Sequence, residues 1–376
     1  MRLDLFSDVG ALTAALVDIE SVSGNEKALV DAIEEALRAL PHLTVDRDGD
    51  SLVARTTLGL PERVILAGHA DTVPVNGNLP SRIEGDLLWG CGTSDMKSGL
   101  AVLLHLAATL PAPSRDVTYV VYECEEVEEA RNGLKRLART RPELIKGDFA
   151  VLMEPTYATV EGGCQGTMRI EVTARGERAH SARSWMGSNA IHNAAEIMEL
   201  LKAYEASRPV VDGLEYHEGL NAVFIRGGIA GNVIPDECVV TINYRFAPDK
   251  SVAEAEAYLR DLFKGFEVKL VDCAPAARPG LTHPAAAAFV EATTGRPADP
   301  GAETPRAPQD VLATAIEEGT VRAKLGWTDV ARFAELGVPA VNYAPGDPLL
   351  AHKQDEHVEI SRIFACEERV RAWLTR

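Results

Sequence analysis

The sequence contains no hydrophobic run long enough to cross a bilayer, which requires about 20 apolar residues. The longest candidates, such as residues 99–110, are short and are interrupted by His105. The first ten residues, MRLDLFSDVG, include acids where a signal peptide needs a basic end and an apolar stretch. We therefore expect a cytoplasmic protein with no membrane partner.

Cysteine pairs are missing as well. The six cysteines form no CxxC motif and no short disulfide spacing, so we expect reduced and mostly buried thiols. They are Cys91, Cys124, Cys164, Cys238, Cys273 and Cys366.

Positive charge is scarce, because 38 Lys and Arg stand against 56 Asp and Glu and give a formal charge of −18. Nucleic acids and anionic membranes are bound through basic patches, so this balance argues against both as partners. The composition is otherwise that of a globular protein, with 46% hydrophobic and 25% charged residues. The 376 residues exceed the roughly 250–300 at which one core stops growing, which predicts two domains.

Helix and strand patterns alternate in the first part of the chain, which favours an α/β sheet with helices on its faces. The triplet Ser23-Gly24-Asn25 is a plausible cap for the second helix. The predicted helices are residues 11–19, 26–40, 98–109 and 133–139, and the predicted strands are 63–67, 117–122 and 149–153.

The pattern changes after about residue 167, where strands and two helices indicate a small α+β sandwich. A Pro/Ala-rich stretch at 273–284 then leads back to the first kind of structure. We therefore predict one discontinuous domain, residues 1–166 and 282–376, and an inserted domain, residues 167–281. The predicted strands here are 168–174, 222–228, 238–246 and 340–343, and the predicted helices are 189–204, 251–263, 308–318 and 360–375.

His69 and Asp71 directly follow the predicted buried strand 63–67, at the sheet edge where α/β proteins bind ligands. Histidine nitrogen and carboxylate oxygen are zinc ligands, so the pair indicates a metal site. Chance supplies about one His-x-acid, and we interpret His357-Val358-Glu359 as that case. A satisfied core histidine is the alternative for His69.

The segment GCGTSDMKSG, residues 90–99, precedes a predicted apolar helix. A dinucleotide-binding loop would need a third glycine where Asp95 stands, so we interpret the segment as a tight turn that presents Asp95. From that position the carboxylate could bridge two cations. An ordinary helix-capping aspartate is the alternative.

Further acids and one histidine follow other predicted strands. Strand 117–122 runs into ECEEVEE, residues 123–129, where one carboxylate could bind metal while its neighbour faces substrate. A solvated face is the alternative for Glu128 and Glu129. Glu154 ends strand 149–153, and His352 lies in the loop after strand 340–343. This shared position after successive strands indicates a common site.

The order of these motifs resembles that of the dinuclear zinc amidohydrolases, the superfamily of acetylornithine deacetylase, carboxypeptidases and aminoacylases. The chain is most similar to the succinyl-diaminopimelate desuccinylases, through AHSARSW at 179–185 and GWTD at 326–329. The resemblance implies a zinc-peptidase-like α/β catalytic domain with a mixed sheet. It also implies that the inserted α+β sandwich is a dimerisation or lid domain.

The resemblance implies two Zn²⁺ per subunit, for which Co²⁺ could substitute. Asp71 would accept a hydrogen bond from a metal-binding histidine and fix its tautomer. Glu125 would be the general base, taking a proton from a water shared by the two ions and returning it to the departing amine. The implied ligands are His69, Asp95 and Glu154 for one ion and Asp95, Glu126 and His352 for the other.

The implied reaction is hydrolysis of the amide bond of N-succinyl-LL-2,6-diaminopimelate to succinate and LL-2,6-diaminopimelate, in lysine and diaminopimelate biosynthesis. His180 would reach the oxyanion from the partner subunit of a homodimer. The implied substrate contacts are Arg183, Asn232, Arg245 and Thr328. A surface-loop histidine, a turn asparagine and a strand-surface arginine are the alternatives for His180, Asn232 and Arg245.

One departure from the family pattern concerns the acyl group. Many desuccinylases have Gly-Gly-Thr-Ser-Asp where this chain has Gly326-Trp327-Thr328-Asp329. The metal chemistry is untouched by this difference. A deacetylase or dipeptidase of the same superfamily is therefore one alternative function, and a non-catalytic metal- or solute-binding protein is another.

Overall fold

The structure is a computed structural model that describes residues 3–295 and 320–376. The helix predicted at 308–318 lies outside the described residues. The chain divides into two compact units, of which unit 1 contains Met1–Gly163, Pro279–Ala323 and Thr328–Arg376. Unit 2 contains Cys164–Arg278 and Lys324–Trp327.

The helices and strands of the described residues alternate along unit 1, whereas in unit 2 they form one four-stranded sheet, two strand pairs and three helices. The helices are α1 (Val9–Val17), α2 (Lys27–Arg38), α3 (Ser98–Thr109), α4 (Gly133–Thr140), α5 (Ala190–Asn193), α6 (Ala195–Ala203), α7 (Val252–Leu262), α8 (Pro284–Thr294), α9 (Val330–Glu335) and α10 (Ile360–Leu374). The strands are β1 (Thr44–Asp48), β2 (Ser51–Arg55), β3 (Arg63–His69), β4 (Arg82–Glu84), β5 (Leu87–Trp89), β6 (Asp116–Tyr122), β7 (Phe149–Leu152), β8 (Val160–Gly162), β9 (Gly166–Arg175), β10 (Ala179–His180), β11 (Val210–Val211), β12 (Leu214–Glu215), β13 (Gly219–Gly227), β14 (Val233–Ile234), β15 (Glu237–Phe246), β16 (Glu267–Ala274), β17 (Val321–Ala323), β18 (Ala340–Asn342) and β19 (His357–Glu359).

The central sheet of unit 1 is mixed, in the order β1-β2-β6-β3-β7-β18-β8-β17. β3 pairs in parallel with β6 and β7, and β18 pairs in parallel with β7, whereas β2 is antiparallel to β6. This arrangement confirms the predicted α/β class. β6 and β7 are buried along their whole length, which explains their unbroken apolar runs.

The parallel register brings three strand ends together. His69 is paired with Tyr122 at the end of β6, and Ala67 is paired with Leu152 at the end of β7. The residues that follow these strands therefore emerge side by side at one edge of the sheet.

Gly99 lets α3 begin against that edge. A Cβ atom at this position would lie 2.2 Å from the main-chain oxygen of Met153, directly after β7, so only glycine permits the approach. The turn before α3 contains Asp95 and is thereby held beside the strand ends.

Unit 2 has a four-stranded antiparallel sheet in the order β13-β15-β9-β16. Its core includes Ile170 and Val240 from the sheet and Leu259 from α7. The predicted helix 189–204 is two helices, α5 and α6, with Ala194 between them.

Three further predictions differ from the structure or are completed by it. β16 and α8 lie on either side of the predicted linker 273–284 and were not expected from the sequence. Ser23-Gly24-Asn25 does not cap α2, whose N-cap residue is Glu26. All six cysteines are free, and all but Cys273 are buried.

No helix among residues 3–295 and 320–376 has the length and apolar character needed to cross a membrane.

Candidate metal centre

Two histidines and several carboxylates meet at the strand ends of unit 1. His69 is the last residue of β3 and is 1% exposed, and Glu154 follows β7 and is buried. Asp95 lies in the turn before α3, Glu126 follows β6, and His352 lies in the loop after β18. The shared position expected from the sequence is therefore what the fold produces.

Asp95 lies between the two histidines. Its Oδ1 is 3.2 Å from Nε2 of His69, and its Oδ2 is 3.5 Å from Nε2 of His352. Nε2 of His352 is also 3.0 Å from Oε1 of Glu126, and Nε2 of His69 is 3.9 Å from Oε1 of Glu154. The two oxygens of one carboxylate thus face two separate groups of ligand atoms. Asp95 is not a helix cap, because α3 begins three residues later.

Asp71 holds the turn after β6. Its Oδ1 accepts the main-chain N–H of Glu125 at 3.0 Å, and its Oδ2 accepts that of Glu126 at 3.1 Å and the hydroxyl of Ser23 at 2.7 Å. The hydrogen bond expected between His69 and the Asp71 side chain is made instead to the main chain of Asp71. Nδ1 of His69 lies 3.0 Å from the main-chain oxygen of Asp71 and 3.6 Å from its carboxylate.

Cys124 has a φ of +57°, which is uncommon for a residue with a side chain. Glu26 supports this conformation, because its Oε1 accepts the main-chain N–H of Cys124 at 3.1 Å and that of Gly24 at 2.8 Å. The chain therefore reverses after β6, and the N–H groups of Glu125 and Glu126 turn towards Asp71.

Glu356 is a buried carboxylate that the sequence interpretation missed. It accepts main-chain N–H groups from Gly92 at 2.8 Å, Ser94 at 2.8 Å and Asp95 at 3.0 Å. In the sequence it lies within KQDEH, which is typical of a charged surface loop, so no local signal distinguishes it.

The electrostatics of the site reflect its crowded negative charge. Burial raises the pKa of Glu125 well above its usual value, and the neighbouring Glu154 raises it further. Hydrogen bonds to Asp95 and Glu126 raise the pKa of His352 to about 10. Burial opposes the charge of His69, but Asp95, Asp71 and Glu154 hold its pKa well above the usual value. The carboxylates thus favour any positive charge placed among them.

A divalent cation fits this arrangement. One ligand atom each from His69, Asp95 and Glu126 can be chosen so that all three lie within 4.8 Å of one another. Imidazole nitrogen together with carboxylate oxygen is a donor set that zinc and similar cations accept.

The four substrate contacts and His180 expected from the sequence fall into different surroundings. Nδ1 of the exposed His180 accepts the N–H of Ala182 at 3.0 Å. The exposed Asn232 accepts the N–H of Ser181 through its main-chain oxygen at 3.0 Å, and Arg183 is exposed in the same region of unit 2. Arg245 lies elsewhere, on β15, and is half-buried.

Thr328 is not placed to contact a substrate as expected. It is 2% exposed, and its hydroxyl donates to Oδ1 of Asn342 at 2.9 Å within unit 1. The neighbouring Asp329 is fully buried, and its Oδ2 accepts a hydrogen bond from Nδ2 of Asn132 at 2.8 Å. Burial raises the pKa of Asp329 to about 6, although Asn132 and Tyr122 lower it.

Comparison with known proteins agrees with this geometry. Residues 65–376 match the model of Peptidase family M20/M25/M40. The chain belongs to this family. It is therefore a metal-dependent hydrolase.

Two curated relatives cover almost the whole chain. A putative succinyl-diaminopimelate desuccinylase of Mycobacterium tuberculosis is 51% identical over 99% of both chains, and a succinyl-diaminopimelate desuccinylase of Corynebacterium glutamicum is 45% identical over 96% of this chain and 94% of that protein. Among solved structures, a dinuclear metal-binding M20 family peptidase of Bacillus subtilis has a TM-score of 0.68 at 15% identity, over 98% of this chain and 97% of that chain. This last similarity shows the fold alone.

We predict that Zn²⁺ or Co²⁺ raises the thermal midpoint of the protein, because a cation relieves the repulsion among the carboxylates. A ligand at 1,000 times its Kd stabilises the folded state by about 4 kcal/mol. Glu126→Gln should abolish most of this gain, whereas Glu128→Gln, which changes an exposed carboxylate in the same segment, should retain it. Differential scanning calorimetry with and without metal measures the gain, and equal gains in both variants would contradict the prediction.

Proposed function

We propose that the protein hydrolyses the amide bond of N-succinyl-LL-2,6-diaminopimelate and releases succinate and LL-2,6-diaminopimelate, in lysine and diaminopimelate biosynthesis. The observation that carries the proposal is Asp95, whose two oxygens face His69 and His352. The partly buried Glu125 interacts electrostatically with His69 and Glu154 of the same site. The succinyl group is taken from the two relatives that cover nearly the whole chain.

The proposed cofactors are two Zn²⁺ per subunit, with Co²⁺ as a substitute. His69 and Glu154 would hold one ion, Glu126 and His352 the other, and Asp95 would contribute one oxygen to each. When bound, a pair of such ions polarises an amide carbonyl and lowers the pKa of a bound water towards 7.

Glu125 would move the proton. The attacking water would lose a proton to the Glu125 carboxylate, which would return it to the amine nitrogen as the C–N bond breaks. Burial beside Glu154 raises the pKa of Glu125, which makes it a stronger base than an exposed glutamate. Asp71 would act as a positioning residue, because it fixes the main chain on which Glu125 and Glu126 stand.

Unit 2 offers groups for the substrate's polar atoms. Nδ1 of His180 accepts a hydrogen bond, so in the neutral imidazole the proton is on Nε2. That N–H, reaching across from the partner subunit of a homodimer, would donate to the carbonyl oxygen as it gains charge. Asn232 and Arg183 in the same region would contact polar ends of the substrate.

Arg245 would bind a substrate carboxylate. Among residues 3–295 and 320–376, no side chain or main-chain group forms a hydrogen bond or ion pair with its guanidinium, and burial lowers its pKa. A planar guanidinium binds both oxygens of a carboxylate, and a partly desolvated one gains most from doing so. N-succinyl-diaminopimelate carries such carboxylates.

Glu125→Gln should retain bound metal and lose activity by about 10²- to 10⁴-fold, because the amide cannot accept the proton of the attacking water. Metal content by plasma emission spectroscopy and kcat with the succinyl substrate are the two measurements. Glu128→Gln is the control and should keep both. Wild-type turnover in Glu125→Gln would exclude the proposed role.

A substrate series tests the acyl group. We expect N-succinyl-LL-2,6-diaminopimelate to be hydrolysed with a higher kcat/KM than N-acetylornithine and dipeptides, each assayed with added Zn²⁺ and with Co²⁺. Faster hydrolysis of acetylornithine would favour a deacetylase, and faster hydrolysis of dipeptides would favour a dipeptidase. No turnover together with no bound metal would favour a solute-binding protein.

The proposed partner is a second copy of the chain, bound through unit 2. β13 is an edge strand that pairs only with β15 among the described strands. It exposes Phe224 by 71% and Ile225 by 57%, and Ile229 beyond it is 68% exposed. A long apolar edge is rarely left uncovered, and strand pairing with a second β13 would cover it.

Phe224→Glu should therefore convert a dimer to a monomer, because it places charge in the paired edge. Sedimentation velocity at micromolar concentration gives the mass. Val271→Glu is the matched control, since Val271 is 45% exposed on β16 at the opposite edge of the same sheet, and it should leave the dimer intact. A monomeric wild-type protein would exclude the proposal.

A further inference from the structure

Glu356 connects two loops that are far apart in the sequence. Its Oε1 accepts the N–H groups of Ser94 and Asp95, and its Oε2 accepts that of Gly92. Its main-chain oxygen also accepts the N–H of Gly90 at 3.1 Å. One residue thus fixes four main-chain amides of the turn that presents Asp95, across 261 positions of sequence.

Glu356 also lies four residues after His352, in the loop after β18. A second connection runs between the same two loops, because the Ser94 hydroxyl donates to the main-chain oxygen of His357 at 2.8 Å and accepts the N–H of Asp347 at 3.2 Å. The Asp95 turn is therefore bound to the His352 loop through residues that precede and follow His352 in the sequence.

The hydrogen bonds between the two loops affect the distance between the ligand atoms of Asp95 and His352. Asp95 must hold one oxygen towards His69 and the other towards His352, and Glu356 sets the main chain from which Asp95 projects. Groups that orient metal ligands without touching the metal change metal affinity by about 10- to 100-fold when they are replaced.

We propose that Glu356 is a positioning residue for the metal centre, fixing Asp95 relative to His352 so that both groups of ligands form. The inference rests on the proposed metal site. A glutamine cannot replace this carboxylate, because it has one acceptor oxygen and its NH₂ group would face a main-chain N–H.

The chain contains a matched control. Asp116 is 3% exposed, and its carboxylate accepts the main-chain N–H groups of Leu58, Gly59 and Leu60 at 2.9 to 3.0 Å. It therefore makes the same kind of contact, but it lies at the first residue of β6, whereas the candidate site lies beyond the last. Asp116→Asn should lower stability without affecting metal.

The experiment compares Glu356→Gln and Asp116→Asn in the full-length protein, using Zn²⁺ and Co²⁺ alone as probes. A competing chelator gives the Kd for Zn²⁺, visible absorption reports the coordination of Co²⁺, and calorimetry gives the thermal midpoint of the metal-free protein. We expect the Kd to rise at least 10-fold and the Co²⁺ spectrum to change in Glu356→Gln only. If that variant does not fold, Glu356→Asp, which keeps the charge but shortens the reach, takes its place.

Wild-type Kd and spectrum in the Glu356 variant would overturn the inference, even if its thermal midpoint falls. Equal weakening of metal binding in Asp116→Asn would also overturn it, since a general loss of stability would then explain the effect. Absence of metal binding in the wild-type protein would overturn the proposed function together with the inference. The two failures are therefore distinguishable, because the inference alone fails when the wild-type protein binds metal and the variants do not differ as expected.

Discussion

The stability of unit 1 depends on a cluster of carboxylates at one edge of its sheet. Two ions of like charge about 4 Å apart repel each other by about 4 kcal/mol at the effective dielectric of a protein surface. The chain already carries a formal charge of −18, and His69 and His352 face this cluster. Such repulsion costs stability unless the site binds positive charge, and the family to which the chain belongs is metal-dependent. These carboxylates are Asp71, Asp95, Glu125, Glu126 and Glu154.

Three buried carboxylates hold the loops that present these groups, and each does so through main-chain amides. Asp71 holds the turn after β6, Glu26 holds Cys124 within that turn, and Glu356 holds the turn before α3. Loops lack the regular hydrogen-bond ladders of helices and sheets, so their buried amides need other acceptors. A carboxylate can accept several amides at once, which makes it an efficient acceptor for a sharply bent segment.

Sequence alone predicted the elements that carry the ligands. The apolar runs at 63–67, 117–122 and 149–153 are central parallel strands, and such strands are continuous apolar segments because both faces are covered. Polar residues directly after them had to meet at one edge. The atoms that hold the ligands could not be predicted in this way. Glu356 depends on a contact across 261 residues, and the main-chain partner of His69 depends on the turn geometry at Asp71.

The difference from the family pattern at residues 326–329 has a structural explanation that does not involve the acyl group of the substrate. Nε1 of Trp327 donates to the main-chain oxygen of Pro275 at 3.1 Å within unit 2, and Thr328 donates to Asn342 within unit 1. Both side chains are engaged by the protein itself, so the replacement of glycine by Trp327 does not by itself indicate a different substrate. The metal centre would recognise the amide carbonyl, which acetyl and succinyl compounds share. A cation that binds the additional carboxylate would discriminate between them, and the half-buried Arg245 has the chemistry for that role.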